Sequence, residues 1–184
     1  MSRLATLSLG LALLPGAAFA HVGDHHGSAF ASGIGHPLGG LDHLIAMLAV
    51  GVLGGALGGK AVWALPAAFL GGMALGGIGG AAGLALPGVE PMILASIIVL
   101  GALLAIGLKV ATAPLALLMA VFGAFHGHAH GTEGPSSDLA LYGLGFLLAT
   151  AALHLTGALI VRLGLPQRVL GALTAASGVA LALV

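Results

Sequence analysis

Six apolar stretches, each near the length that crosses a lipid bilayer, dominate this sequence. They run over residues 38–58, 62–84, 91–108, 112–130, 138–161 and 166–184. A helix of about 20 apolar residues spans the hydrocarbon core, and short breaks rich in glycine, proline or polar residues separate the stretches. With five Lys or Arg and five Asp or Glu among 184 residues, the chain has too few charges to solvate a soluble surface. We therefore predict an all-α polytopic membrane protein with six transmembrane helices.

The first 20 residues have the layout of a cleavable secretory signal peptide. Arg3 precedes an apolar core over 4–14, and Ala18-Phe19-Ala20 has the small-residue pattern of a cleavage site. The core is too short for a membrane span, which disfavours an uncleaved first helix. Cleavage after Ala20 predicts three regions: a signal peptide (1–20), a periplasmic segment that contains histidines (21–35) and a six-helix transmembrane domain (36–184).

The basic residues select one orientation of the six spans. If the mature N-terminus lies outside, every basic residue left after cleavage falls on the cytoplasmic side: Lys60, Lys109, Arg162 and Arg168. Lys and Arg favour the cytoplasmic loops of membrane proteins. We predict that the mature N-terminus is outside.

The first candidate site lies at the start of the first span, where His36, Asp42 and His43 occur. Ionisable residues inside a bilayer are costly and by default mark a functional site. Pro37 suits a first helical turn, so we predict that a helix begins close to it, with His36 and His43 on one face two turns apart. Asp42 is close enough either to ligate a cation or to fix a histidine tautomer.

The second candidate site is the histidine cluster at the end of the fourth span. If this segment is helical, His126 and His130 share a face, a spacing that suits one metal ion. If the interspersed glycines unwind it, then His126, His128 and His130 converge instead. Glu133 adds a carboxylate at the mouth of the site.

The remaining histidines are weaker candidates. His154 stands alone in the fifth span, about 24 Å from its outer end, and is either a relay site or a hydrogen-bonding partner of another helix. His21, His25 and His26 follow the cleavage site and either bind metal or belong to a solvated tail. For Ser96 and Tyr142 we expect interhelical hydrogen bonds.

The ligand types limit the class of ion and of partner. Imidazoles with a few carboxylates suit nickel, cobalt, zinc or copper better than magnesium or calcium. The chain has no cysteine, which excludes thiolate ligands and cysteine nucleophiles, and it has no basic region suited to nucleic acid.

Both motifs resemble those of a known family, the HupE/UreJ nickel and cobalt permeases. His36 with Asp42-His43, followed by Leu-Ile-Ala-Met-Leu-Ala-Val-Gly, resembles its first signature. The segment from Phe125-His126-Gly127 through His130-Gly131 to Glu133 resembles its second, F-H-G-x-A-H-G-x-E, in which His128 occupies a variable position. The leader, the six spans and the length are similar too, so the resemblance covers essentially the whole chain.

The resemblance implies uptake of Ni²⁺, or Co²⁺ in some members, across the bacterial cytoplasmic membrane for enzymes such as hydrogenase or urease. It implies that transport depends on His36, Asp42, His43, His126, His130 and Glu133. The expected partners are the divalent ion, the lipid bilayer and metalloenzyme maturation proteins. A homo-oligomer stays open, and Zn²⁺ stays an alternative cargo.

We therefore predict a permease that is not an enzyme and does not hydrolyse ATP, since no nucleotide-binding motif is visible. A membrane metal sensor or chaperone that never translocates the ion is the alternative. A metal-dependent intramembrane enzyme is third, because H-E-x-x-H is missing. In all three cases we expect the stretch from His36 to Met47 and that from His126 to Glu133 to form two walls of one site.

Overall fold

The computed structural model describes residues 28–107, 109–135 and 137–183. Within these ranges the chain is entirely helical, which confirms the predicted all-α class. Its seven helices are α1 (Ala29–Gly39), α2 (Leu41–Leu57), α3 (Ala61–Ala81), α4 (Val89–Ile106), α5 (Thr112–Glu133), α6 (Leu139–Arg162) and α7 (Gln167–Ala182). The predicted signal peptide and three of the candidate ligands, His21, His25 and His26, lie outside the described residues.

The helices from α2 to α7 coincide with the six predicted stretches, to within a few residues. Among the described helices, α3, α4, α5 and α6 are each long and apolar enough to cross a membrane. The number rises to five if α1 and α2 together form one bent span. By itself α2 has 17 residues and α7 has 16. The structure is thus that of a multi-pass membrane protein with four to five candidate spans.

The expectation that a helix begins near Pro37 is wrong. The Ser28 hydroxyl accepts a hydrogen bond from the Ala31 amide, α1 begins at Ala29, and Pro37 falls near its end. The chain breaks at Gly40, whose backbone is extended, and α2 leaves at 85° to α1. The physical reason is that Pro37 lacks an amide donor and two glycines follow it, so the local preference for a continuous helix is weak.

Glycines bring α3 and α5 into backbone contact. A Cβ atom at Gly72 would overlap the carbonyl oxygen of Ala120, and one at Gly127 would overlap that of Met73. Small residues four apart on a helix permit this close approach inside a membrane. Of the described helices, α3 and α5 share the most extensive contact, and we call them the α3–α5 pair.

Glycines also allow the other helices to approach one another closely. On α2, Gly51 faces the carbonyl of His154 on α6, and Gly33 on α1 faces that of Tyr142, also on α6. On α4, Gly101 faces the backbone of Ala175 on α7. The bundle therefore consists of the α3–α5 pair, an α1–α2–α6 group and an α4–α7 pair. In its centre α2 packs against α1, α3, α4, α6 and α7.

The two ends of the bundle differ in chemistry. The connection α3–α4 and the segment between α5 and α6 lie at the end that carries most of the described histidines, which we call the histidine end. Lys60, Lys109 and Arg162 lie at or beside the connections of the opposite end, which we call the basic end. Between them the interior is apolar and includes the fully buried side chains of Leu65 and Met119.

Two adjacent glycines of α3 test the close approach. We expect Gly72→Ala to lower the free energy of unfolding by about 1–3 kcal/mol, because its methyl group would overlap the backbone of α5. The matched control is Gly71→Ala, where a Cβ atom meets nothing within 4 Å, so that the better helix propensity of alanine leaves stability equal or higher. Thermal unfolding in detergent distinguishes them; equal melting temperatures would contradict the packing.

Candidate metal site

The segment from His126 to Glu133 stays helical as the last turns of α5, so the unwound alternative does not apply. As the helical alternative predicts, His126 and His130 share the face that meets α2. The His43 ring centre lies 5.0 Å from that of His126 and 4.3 Å from that of His130. The two segments that we expected to form walls of one site do lie together.

Nearest the surface of the histidine end, His36, His130 and Glu133 form what we call the rim group. Each of the three side chains offers one ligand atom, and these atoms lie within 4.8 Å of one another. The Nε2 atom of His36 is 3.8 Å from a carboxylate oxygen of Glu133. His36 reaches this place from α1, on the far side of the Gly40 break, and not from the same helix as His43.

Asp42 orients His43. One carboxylate oxygen of Asp42 accepts hydrogen bonds from the backbone amide and from Nδ1 of His43, both at 2.8 Å. A proton on Nδ1 leaves the lone pair of neutral imidazole on Nε2. That Nε2 atom is buried and has no hydrogen-bond partner among the described residues. In metal sites, a histidine that binds the ion through one ring nitrogen usually donates a hydrogen bond from the other nitrogen to a carboxylate, as His43 does here.

His130 contacts both His36 of the rim group and His43 of α2. Its ring is edge-on to His36 at 4.8 Å and packs against Phe146 at 4.3 Å. The side chain is 6% exposed, and neither ring nitrogen has a hydrogen-bond partner within the described part of the chain. Buried polar atoms without partners are costly. A bound cation at either nitrogen would remove that cost.

Two deeper histidines follow. His126 is fully buried, and its Nε2 lies 3.0 Å from the Ser96 hydroxyl on α4. His154 donates from Nδ1 to the Met47 carbonyl at 2.7 Å, a bond made possible where Gly51 lets α2 approach α6. The predicted interhelical bonds of Ser96 and His154 are therefore present, and Nε2 of His154 has no hydrogen-bond partner among the described residues.

His128 lies apart from this cluster. Its Nε2 is 2.7 Å from the carbonyl oxygen of Leu84, in the connection between α3 and α4. The ring fastens that connection to α5, so convergence of His128 with His126 and His130 is not observed.

Two aromatic rings complete the surroundings, of which the sequence did not single out Phe69. Phe69, fully buried on α3, has its ring centre 5.3 Å from those of both His126 and His154. Tyr142 lies edge-on to His36 at 5.7 Å, and its buried hydroxyl has no hydrogen-bond partner within the described ranges, so the interhelical bond expected of it is not observed. An apolar residue in an apolar span carries no sequence signal, so Phe69 could be found only from the packing.

Comparison with known proteins agrees with this geometry. The family model described as HupE / UreJ protein matches residues 9–183. The chain belongs to the HupE/UreJ family. It is 46% identical over 153 residues to Protein HupE of Rhizobium leguminosarum bv. viciae, a match that covers 83% of this chain and 80% of that protein. No solved structure matches the chain.

His130 and His128 lie close together on α5 but should contribute differently to metal binding. We expect His130→Ala to weaken Ni²⁺ or Co²⁺ binding by at least about tenfold, because it removes the histidine shared by the rim group and His43. His128→Ala should leave the affinity unchanged. The measurement is calorimetric titration of the protein in detergent, with His21, His25 and His26 replaced by alanine throughout so that they do not contribute. Equal losses would contradict the placement of His128.

Proposed function

We propose that this protein is a non-ATP-hydrolysing permease that takes up a divalent transition-metal ion, Ni²⁺ before Co²⁺ or Zn²⁺, across the bacterial cytoplasmic membrane. The observation that carries the proposal is the meeting of His36, His130 and Glu133 from α1 and α5, directly beside Asp42 and His43 of α2. Membership in the HupE/UreJ family supports it, because that family is linked to nickel and cobalt uptake. The proposed ligands are His36, His43, His126, His130 and Glu133, with Asp42 as the carboxylate that holds His43 and His21, His25, His26 and His154 as further candidates.

The proposed topology is a cleaved signal peptide, a periplasmic segment from residue 21 and six spans formed by α2 to α7. The histidine end faces outward, because the opposite orientation would place Lys60, Lys109 and Arg162 outside. The short helices α2 and α7 fit a membrane that thins locally around them, a modest cost per ångström of mismatch.

In the proposed route the ion passes from the rim group to His43 and His126, and then to His154. Beyond His154 a cavity of about 330 Å³ opens at the basic end, lined by Leu53, Lys109 and Gln167 among others. Leu53 follows Met47 by six residues on α2, so the cavity begins roughly 9 Å beyond the carbonyl that holds His154. The cargo would then reach cytoplasmic maturation proteins of hydrogenase or urease.

One observation favours the alternative, a metal sensor or chaperone that retains the ion. The Phe69 ring is fully buried and packs against both His126 and His154, so an ion that passes from one to the other would meet an apolar ring. The permease is the stronger proposal because His154 lies beside Met47, one helical turn past His43, and its Nε2 atom has no hydrogen-bond partner among the described residues, at a depth where a binding protein has no use for it.

Uptake of radioactive nickel into proteoliposomes tests the permease. We expect His43→Ala and His130→Ala to reduce uptake to background, because each removes a ligand at the entrance. His154→Ala should lower the maximal rate while surface binding persists, since His154 lies deeper than the rim group, beside Met47. His128→Ala serves as the control with normal uptake. Tight binding without any flux in the parent protein would overturn the permease in favour of the sensor.

External pH should change the apparent affinity for the ion in one direction. Imidazole must be neutral to ligate, so protons compete with a metal ion for histidine ligands. Between about pH 7.5 and about pH 5.5, on either side of the ordinary histidine pKa, we expect the KM for nickel uptake to rise at least tenfold. Initial rates in proteoliposomes at fixed internal pH measure it. A KM that stays constant would argue against histidine ligands.

A further inference from the structure

Ser96 is the one side chain of α4 that reaches the histidine cluster by a hydrogen bond within the described residues. It is fully buried, as is its partner His126 on α5. Its hydroxyl donates to the Ile93 carbonyl of its own helix at 2.6 Å. A serine hydroxyl has a single proton, so toward His126 its oxygen can only accept.

This arrangement sets the protonation pattern of His126. Because the Ser96 oxygen accepts, Nε2 of His126 carries the proton and donates over 3.0 Å. In neutral imidazole the lone pair then lies on Nδ1, which is buried and has no hydrogen-bond partner in the described structure. No other hydrogen bond to the His126 ring is present among the described residues, so Ser96 is what favours this tautomer.

The tautomer of His43 is also fixed by a hydrogen bond, but here the proton is on Nδ1 and the lone pair is on Nε2. Asp42 holds the proton on Nδ1 and leaves the lone pair of Nε2 buried without a partner in the described part of the chain. A divalent ion lies about 2.1 Å from each imidazole nitrogen, which places two ring centres roughly 5 Å apart. The ring centres of His43 and His126 are 5.0 Å apart.

We propose that Ser96 is a positioning residue for metal capture, which fixes His126 as a ligand through Nδ1 so that His43 and His126 form an inner pair beyond the rim group. The inference rests on the proposed function for its cargo. It assigns a role to α4, which contributes no histidine. Ser96 itself does not touch the ion.

The first test measures the tautomer in the metal-free protein. We expect the ¹⁵N spectrum of histidine-labelled protein in nanodiscs to show a protonated Nε2 at His126, with the signal assigned by its loss in His126→Gln. In Ser96→Ala the preference for this form should disappear. A proton on Nδ1 in the parent, or an unchanged tautomer in Ser96→Ala, would overturn the proposal.

The second test measures affinity, which separates positioning from packing. We expect Ser96→Ala to weaken Ni²⁺ binding about 10–100-fold, the usual loss when the group behind a ligand is removed. Ser96→Thr keeps the hydroxyl and should restore affinity to within about threefold of the parent. If the threonine variant is folded yet binds as weakly as the alanine variant, the serine matters only for packing and the proposal is wrong.

Neither measurement involves flux, so the two proposals can fail separately. A parent protein that binds nickel with the expected tautomer but transports none would remove the permease and leave the role of Ser96 intact. If Ser96→Ala transports nickel normally and binds it with normal affinity, the role of Ser96 is wrong and the permease remains.

Discussion

Direct contact between helix backbones is the constraint on which this bundle depends. In lipid no hydrophobic force drives two apolar helices together, so van der Waals packing at small residues takes its place. The contacts at Gly72, Gly127 and Gly51 fix the spacing of α3 with α5 and of α2 with α6. These pairs hold the histidines at ring separations of 4–5 Å without any polar bond between them, as at His43 and His130, 4.3 Å apart.

The candidate ligands are divided between these rigid units. His36, Asp42, His43 and His154 belong to the α1–α2–α6 group, whereas His126, His130 and Glu133 belong to the α3–α5 pair. Each unit orients its own histidines, through Asp42 for His43 and through the Met47 carbonyl for His154. The exception is His126, which is oriented from the α4–α7 pair by Ser96. A cation bound by ligands from both the α1–α2–α6 group and the α3–α5 pair would therefore join two units that otherwise meet mainly through apolar side chains.

The sequence predicted which segments form the site better than it predicted how the helices bring their side chains together. Apolar length and the positions of the ionisable residues suffice to find α2 to α7 and the two histidine segments, because charges inside lipid are rare, but they did not predict α1. The way in which His36 and His43 both reach His130 was predicted wrongly, since a break at Gly40 depends on how α1 packs against α6 at Gly33 and not on local propensity alone. The sequence pattern also does not reveal that His128 turns toward Leu84, or that Phe69 packs against both His126 and His154.

The bend at Gly40 has a consequence for the hydration of an arriving ion. A helix end leaves peptide groups without partners, and in hydrocarbon each of them costs several kcal/mol. Gly39 and Leu41 are exposed on either side of the bend, so the break fits the level of water and lipid headgroups better than the hydrocarbon core. The side chain of His36 is 35% exposed, whereas His130 is 6% exposed and His126 is fully buried. If the protein carries an ion as proposed, the bend would let that ion exchange water for imidazole in steps and not all at once.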